Sequence, residues 1–163
     1  MQFFVEFDMN IFALSMDVNE AAEYHVDSHV VKMPLETAQM LCTNLNLLDV
    51  ETPYLSVHKN HPCTIWARQS QQNFLWLCNL GLSLCAEYTY RYKKVHKCES
   101  VIEFCKKYVF YLPKNEMTDF AMAMPDEYKC NNPIFAYRKF YSFGKKHLHK
   151  WTGRTMPLWI IRD

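Results

Sequence analysis

Glycine is scarce, with three residues in a chain of 163. That scarcity argues against turn-rich β-sandwiches and against the glycine-rich loops that cradle phosphates. Long apolar runs are also missing, and none approaches the roughly 18 residues that a membrane span needs. The opening stretch, residues 1–8, has no basic residue and two acids, Glu6 and Asp8, so no secretory leader is expected. The seven cysteines are an odd number and contain no CxxC pair. Cys78/Cys85 and Cys98/Cys105 are each seven apart, a helical core spacing, so buried reduced thiols of an intracellular protein are expected and a cysteine-based zinc site is not. GxSxG, Walker and Rossmann patterns are absent, and the chain calls for no cofactor.

What is present is a globular composition, 50% hydrophobic and 15% aromatic. The length fits one compact domain, 1–163, with a core of its own. Met9-Asn10 reads like a natural start, so residues 1–8 form a candidate dispensable extension. Residues 2–14 alternate loosely, as a short strand or extended arm. Asp17 is placed to cap a helical region running, with a break, to Leu48, and Pro34 should kink or restart it near Met33. A loop over 49–63 leads to a helix over 64–92, then a third helix near 99–111. An ordered loop over 112–131 follows. Asn132-Pro133 combines an N-cap with proline at the first helical position, and this last helix is expected to reach Trp151, strained at Gly144. The expected fold is all-α, four or five helices with a short extended N-terminal segment.

One row of side chains carries chemistry. At about 100° per residue, His25, His29, Lys32 and Glu36 fall within about 60° of one another on a helix. A carboxylate among basic groups in a cleft can stabilise an oxocarbenium-like centre or act as a general base, with His29 orienting substrate and Lys32 meeting a phosphate. The bland alternative is a solvated face holding an ordinary i,i+4 pair. His25 and His29 also have metal-pair spacing, which His58, His61 or Glu36 would complete; no HExxH signature accompanies them, and no metal is assigned.

Charge is distributed unevenly although the net is +1. Residues 128–163 carry eight basic side chains against one acidic, leaving ten basic and sixteen acidic in 1–127. Arg138, Lys139, Tyr141, Lys145 and Lys146 belong to that segment, where cations interleave with rings as a nucleic-acid surface would have them. Asn60, His61 and Arg68, at a loop-to-helix junction, form a second candidate phosphate contact.

These motifs resemble the phage-type pyrimidine-dimer DNA glycosylases (endonuclease V type). The chain is still more similar to a set of tailed-phage and marine-virus proteins sometimes given that label. With that set it shares His29-Val30-Val31-Lys32-Met33, Leu35-Glu36, Ala38-Gln39-Met40-Leu41, Asn60-His61-Pro62, Trp66, Arg68, Met124-Pro125-Asp126 and Ala136-Tyr137-Arg138. The glycosylases have an opening similar to Asn10-Ile11-Phe12-Ala13-Leu14-Ser15 and an Asp-x-His similar to Asp27-Ser28-His29. Their catalytic glutamate lies seven residues after that histidine, which is Glu36 here. Their aromatic end closing on Gly-Lys is similar to Phe140-Tyr141-Ser142-Phe143-Gly144-Lys145. Two positions depart. The family's nucleophile is the amine of an N-terminal threonine, and no threonine occurs from Phe7 to Met9. The family also flanks its glutamate with arginines, where this chain has Leu35 and Gln39.

The resemblance implies a small all-α DNA glycosylase that removes a damaged or modified pyrimidine flipped from double-stranded DNA; the family's strand cleavage depends on the amine that the first departure lacks. Glu36 and His29 would be catalytic, and Lys32, Asn60, His61, Arg68, Arg138, Lys139, Tyr141, Lys145 and Lys146 would contact substrate. A membrane is not implied, and the setting would be the cytoplasm of a host cell. Two alternatives stand beside it: an enzyme acting on modified pyrimidine nucleotides or hypermodified viral DNA, and a non-catalytic DNA-binding or host-interaction protein.

Overall fold

A computed structural model describes residues 9–162. Its elements are α1 (Val18–Tyr24), α2 (Asp27–Asn46), α3 (Pro62–Arg68), α4 (Gln71–Tyr92), α5 (Glu99–Lys106) and α6 (Pro133–Phe143), with single 3-10 turns at Val109–Tyr111, Asp126–Tyr128 and Lys146–Leu148. The described residues contain no strand, and the fold is all-α. None of these helices is long and apolar enough to cross a membrane.

The local signals act where the residue types place them. Asp17 accepts from the Glu20 N–H and starts α1. Asn132 accepts from the N–H groups of Ile134 and Phe135, with Pro133 at the first turn of α6. The helix boundaries differ from the sequence expectation at four places. Pro34 lies inside α2 without ending it; the proline withholds only the bond that would reach the Val30 carbonyl. The break instead falls at His25-Val26, because two long-range acceptors or donors claim the backbone there. The Val26 N–H donates to the Tyr141 hydroxyl at 3.0 Å, and the Asp27 N–H to the Lys150 carbonyl at 2.8 Å. The expected helix over 64–92 is two, because extended Ser70 interrupts it and caps α4 through the Asn73 N–H. The third helix ends at Lys106, with a 3-10 turn beyond it, and the last stops at Gly144 instead of reaching Trp151.

Helix α4 is the axis on which α1, α2, α3 and α5 pack. Leu41 and Leu45 from α2, Leu77, Leu80 and Leu84 from α4 and Ile102 from α5 are buried together in the core. Gly81 permits the close approach of these helices: a Cβ there would lie 2.8 Å from Thr37 Cγ2 and 2.9 Å from Ile102 Cδ1. Residues 9–15 form no strand; they thread through the core as a buried extended arm. The candidate extension, residues 1–8, lies outside the described residues. All seven cysteines are free thiols, and all but Cys130 are buried.

A buried ion network fixes the start of α2. Arg91 NH1 donates to Asp27 Oδ1 at 3.0 Å and Arg91 Nε to Glu87 Oε2 at 2.7 Å, while Arg154 donates to both oxygens of Glu87 at 3.0 Å. Thr152 adds its amide and hydroxyl to the Asp27 carboxylate, at 2.9 and 2.6 Å. Burial alone would raise the pKa of Asp27 and of Glu87. The Thr152 and arginine hydrogen bonds outweigh it and hold both carboxyls below their ordinary values. The C-terminal segment is thereby clamped against the α1–α2 corner.

Candidate functional site

Glu36 sits midway along α2, on the face turned toward the arm, and is only 5% exposed. The Asn10 peptide N–H donates to its Oε1 at 2.9 Å. Lys32, one turn earlier and half in solvent, brings its ammonium to 3.5 Å from Oε2. A buried carboxylate therefore has a peptide amide on one oxygen and a half-exposed cation near the other.

The arm residue that meets Glu36 is itself tied in three directions. Asn10 Nδ2 donates to the Ala123 carbonyl at 2.7 Å, its own Oδ1 accepts from the Ile11 N–H at 2.8 Å, and the Tyr137 hydroxyl lies 3.0 Å from that oxygen. The Tyr137 hydroxyl also contacts the Ala121 carbonyl at 2.6 Å and accepts from the Ala123 N–H. Cys63 Sγ lies 3.5 Å from Asn10 Oδ1, but burial pushes its thiol up to about 12, so it is no nucleophile near neutral pH.

His29 occupies the turn before Lys32. Its ring stacks on Phe12, centroids 4.5 Å apart, and its Nδ1 is 2.7 Å from the Tyr141 hydroxyl. That hydroxyl accepts from the Val26 N–H, and donating its own proton to Nδ1 gives it a partner for every role it then plays, so the histidine proton is assigned to Nε2. Burial, with His25, Lys145 and Lys32 adding like charge, drives the imidazole down to about 2. His29 is thereby kept a neutral group. His25 does not share the helix with it; it follows α1, bonds the Ala21 carbonyl through Nδ1 at 2.6 Å, and is lowered to about 4 by burial.

Lys145 lies over the Phe12 and Phe140 rings, at 5.9 and 5.2 Å from their centroids, beside His29. Lys146 is exposed and Lys139 half-buried. Three other expected contacts are taken up by the protein. Tyr141 is fully buried, with its hydroxyl engaged by His29 and Val26, so its ring has no face for a base. Arg138 Nε donates to the Leu14 carbonyl at 2.9 Å, and its guanidinium lies over Trp159 and Tyr24. Arg68 NH1 donates to the Lys59 carbonyl at 2.6 Å and to Asn44 Oδ1 at 3.3 Å, tying the 58–61 turn to α2.

Asn60 and His61 stand on the wall of a cavity of about 810 Å³, opposite Met122 and Pro125, with Lys59 and Lys129 also lining it. Ala123 belongs to the same wall. His61 Nδ1 accepts from the Cys63 N–H and caps α3. Among the described residues, no group of three or more His, Cys, Asp or Glu side chains converges as a metal site.

Sequence reasoning passed over Asn10, Phe12, Asp27 and Tyr137 as site residues. Asn10, Asp27 and Tyr137 did lie in shared motifs, but nothing in one sequence says that a peptide N–H at position 10 meets a carboxylate at 36. No protein-family model, curated protein or solved structure matches this chain. Fold and site define its class: an all-α protein with a buried carboxylate, a neutral histidine and lysines around one corner of the bundle.

Proposed function

We propose that this protein is a DNA-acting enzyme of glycosylase type, which releases a damaged or modified pyrimidine with Glu36 as its catalytic carboxylate. The observation that carries the reading is the setting of Glu36: buried, oriented by the Asn10 N–H, and accompanied by a neutral imidazole and the Lys32 ammonium. A carboxylate so held can stabilise the cationic sugar that forms as the glycosidic bond lengthens, or orient water toward C1′. The pyrimidine leaves with the bonding electron pair and takes up a proton; water supplies the new C1′–O bond. His29 orients sugar or base through Nε2–H. Lys32, Lys139, Lys145 and Lys146 hold phosphates on either side.

The reading is hydrolytic. The nitrogen that donates to Glu36 Oε1 is the Asn10 peptide amide, whose lone pair is delocalised and which forms no Schiff base, and the primary amine of Lys32 is held in an ion pair with Oε2. Phe7 and Asp8, where the resemblance would look for an amine, lie outside the described residues.

The test is incubation with duplexes carrying cyclobutane dimers, uracil or hypermodified pyrimidines, with and without borohydride. Wild type should release a base and form no borohydride adduct. Glu36→Gln should release none while keeping its DNA affinity. Undiminished release by that variant rules out the mechanism. Salt-dependent DNA binding with no base released from any duplex favours a non-catalytic DNA-binding protein.

A further inference from the structure

The cavity between residues 58–62 and 122–129 has walls of two kinds. Met122, Pro125 and Pro62 offer apolar surface, while Lys59, Lys129 and Asn60 bring two ammonium groups and an amide to the same space. At about 810 Å³ it falls in the range of roughly 300–1,000 Å³ typical of small-molecule sites. A simple anion has no use for the methionine and proline faces, and a purely apolar ligand has none for the lysines. A planar ring joined to a phosphate uses both.

The walls are preformed. Arg68 pins the Lys59 carbonyl, and the His61 N–H closes a turn on the His58 carbonyl at 3.0 Å. Tyr137 holds the opposite wall through Ala121 and Ala123. Lys129 is bridged at 3.0 Å to Asp126, which also lines the cavity; the pair is exposed and weak, and a phosphate binds there by displacing the Asp126 carboxylate from the lysine. The Ala123 carbonyl accepts from the Asn10 side chain, and the Asn10 N–H meets Glu36, so Asn10 links the cavity wall to the carboxylate.

We infer that this cavity receives a single pyrimidine nucleotide unit. The ring lies against the methionine and proline faces, its edge meets the Asn60 amide, and its phosphate meets Lys59 and Lys129. One donor and one acceptor on that amide match the N3–H and O4 of thymine or uracil. The pyrimidine identity rests on the base-release reading above; the nucleotide class rests on the cavity alone. A free mononucleotide and a nucleotide turned out of a strand present the same chemistry.

The test is NMR titration of the ¹⁵N-labelled full chain with thymidine 5′-monophosphate, thymidine, inorganic phosphate and a short thymidine oligomer. The monophosphate should shift amides in 58–62 and 122–129, with thymidine and phosphate each about tenfold weaker, because the charge-assisted contacts and the ring contacts are then separated. Lys59→Ala and Lys129→Ala should each weaken the monophosphate about tenfold, and Lys106→Ala should not. Lys59 serves the fold through its carbonyl, so the alanine variant keeps the Arg68 tie, and its spectrum reports that directly. An oligomer tighter than the monophosphate identifies a strand as the source; an oligomer weaker than it identifies the free nucleotide. Shifts confined to other regions, or equal affinity for thymidine and its monophosphate, overturn the proposal. If Lys59→Ala and Asn60→Ala leave wild-type base release untouched, the cavity assignment fails and the base-release reading stands. If the monophosphate binds but no duplex yields a base, the reverse holds.

Discussion

The peptide N–H of Asn10 and the Oε1 of Glu36 meet at 2.9 Å across 26 residues of sequence. This bond joins the extended arm to the middle of α2 and orients the carboxylate. It also separates two substitutions that look alike. Glu36→Gln keeps an oxygen for the Asn10 N–H and weakens the half-exposed Lys32 bridge. Glu36→Ala strands a buried donor, which costs about 1–3 kcal/mol. Urea denaturation should therefore find the glutamine variant near wild type and the alanine variant lower by that amount. Equal losses would mean that the Asn10 bond does not form.

The Tyr141 hydroxyl serves two partners, accepting from the Val26 N–H and meeting His29 Nδ1 at 2.7 Å, where the Nε2–H assignment makes it the donor. Tyr141→Phe removes both contacts and leaves a helix-start N–H and an imidazole nitrogen buried without them. A loss of about 1–3 kcal/mol is expected. The ¹⁵N shifts of the His29 ring should also change, because the fixed Nε2–H tautomer loses its cause. A stability loss with unchanged His29 shifts would sink the tautomer assignment.

How far the sequence disclosed this arrangement depends on the range of the forces. Asp17, Asn132-Pro133 and the i,i+4 spacing of Lys32 and Glu36 act within a turn or two, and each is found where local rules put it. The break at His25-Val26 has no proline or glycine to announce it; Tyr141 and Lys150 impose it from more than a hundred residues away. Pro34 misled in the opposite direction, since a buried helix packed on both sides tolerates one missing bond. The charges of Arg68 and Arg138 were legible, but their engagement with the Lys59 and Leu14 carbonyls was not. Composition counts cations without saying which are already occupied.

Acid should destabilise the protein well above the carboxylate range. His25 and His29 are lowered to about 4 and about 2, chiefly by burial, against about 6.5 in an unfolded chain. Lys145, Lys32 and His147 reinforce the lowering at His29, and Arg91 at His25, where the Ala21 bond and Glu87 partly oppose it. Below about pH 6.5 the unfolded state binds protons that the folded state refuses, so stability is full above that pH and falls beneath it. Near pH 5 the slope from two such histidines is about 2–3 kcal/mol per pH unit. The check is denaturant midpoint against pH. His29→Asn should flatten the slope by about half, and a flat wild-type profile between pH 7 and 5 would refute the burial of both rings as neutral groups.

Thiol reactivity should be confined to one position. Cys63, Cys78 and Cys85 are pushed up to about 12, mainly by burial. Cys42 and Cys105 face each other at 3.6 Å within the core, and only Cys130 is partly exposed. Iodoacetamide on the native protein should label Cys130 alone, and denaturant should release the other six. Fast labelling of any core cysteine in the native state, read by peptide mass, would contradict the packing between α2, α4 and α5.

Two ion pairs of similar length should differ widely in consequence. Arg91 is fully buried and serves both Asp27 and Glu87, whereas the Lys129–Asp126 bridge is 40% and 96% exposed on its two sides. Removing a buried partner leaves charges in a medium that solvates them poorly, so Arg91→Met should cost about 3–5 kcal/mol. Lys129→Ala should cost no more than about 1 kcal/mol, because water replaces the lysine. The arginine change should also reach the site. Asp27 opens α2 two residues before His29, and with Thr152 it anchors the segment whose Lys150 carbonyl accepts the Asp27 N–H. Hydrogen exchange should then accelerate at the start of α2 and across 150–154 while the α4–α5 contact stays protected. Uniform acceleration across all helices would show that the network supports the whole bundle and not this corner.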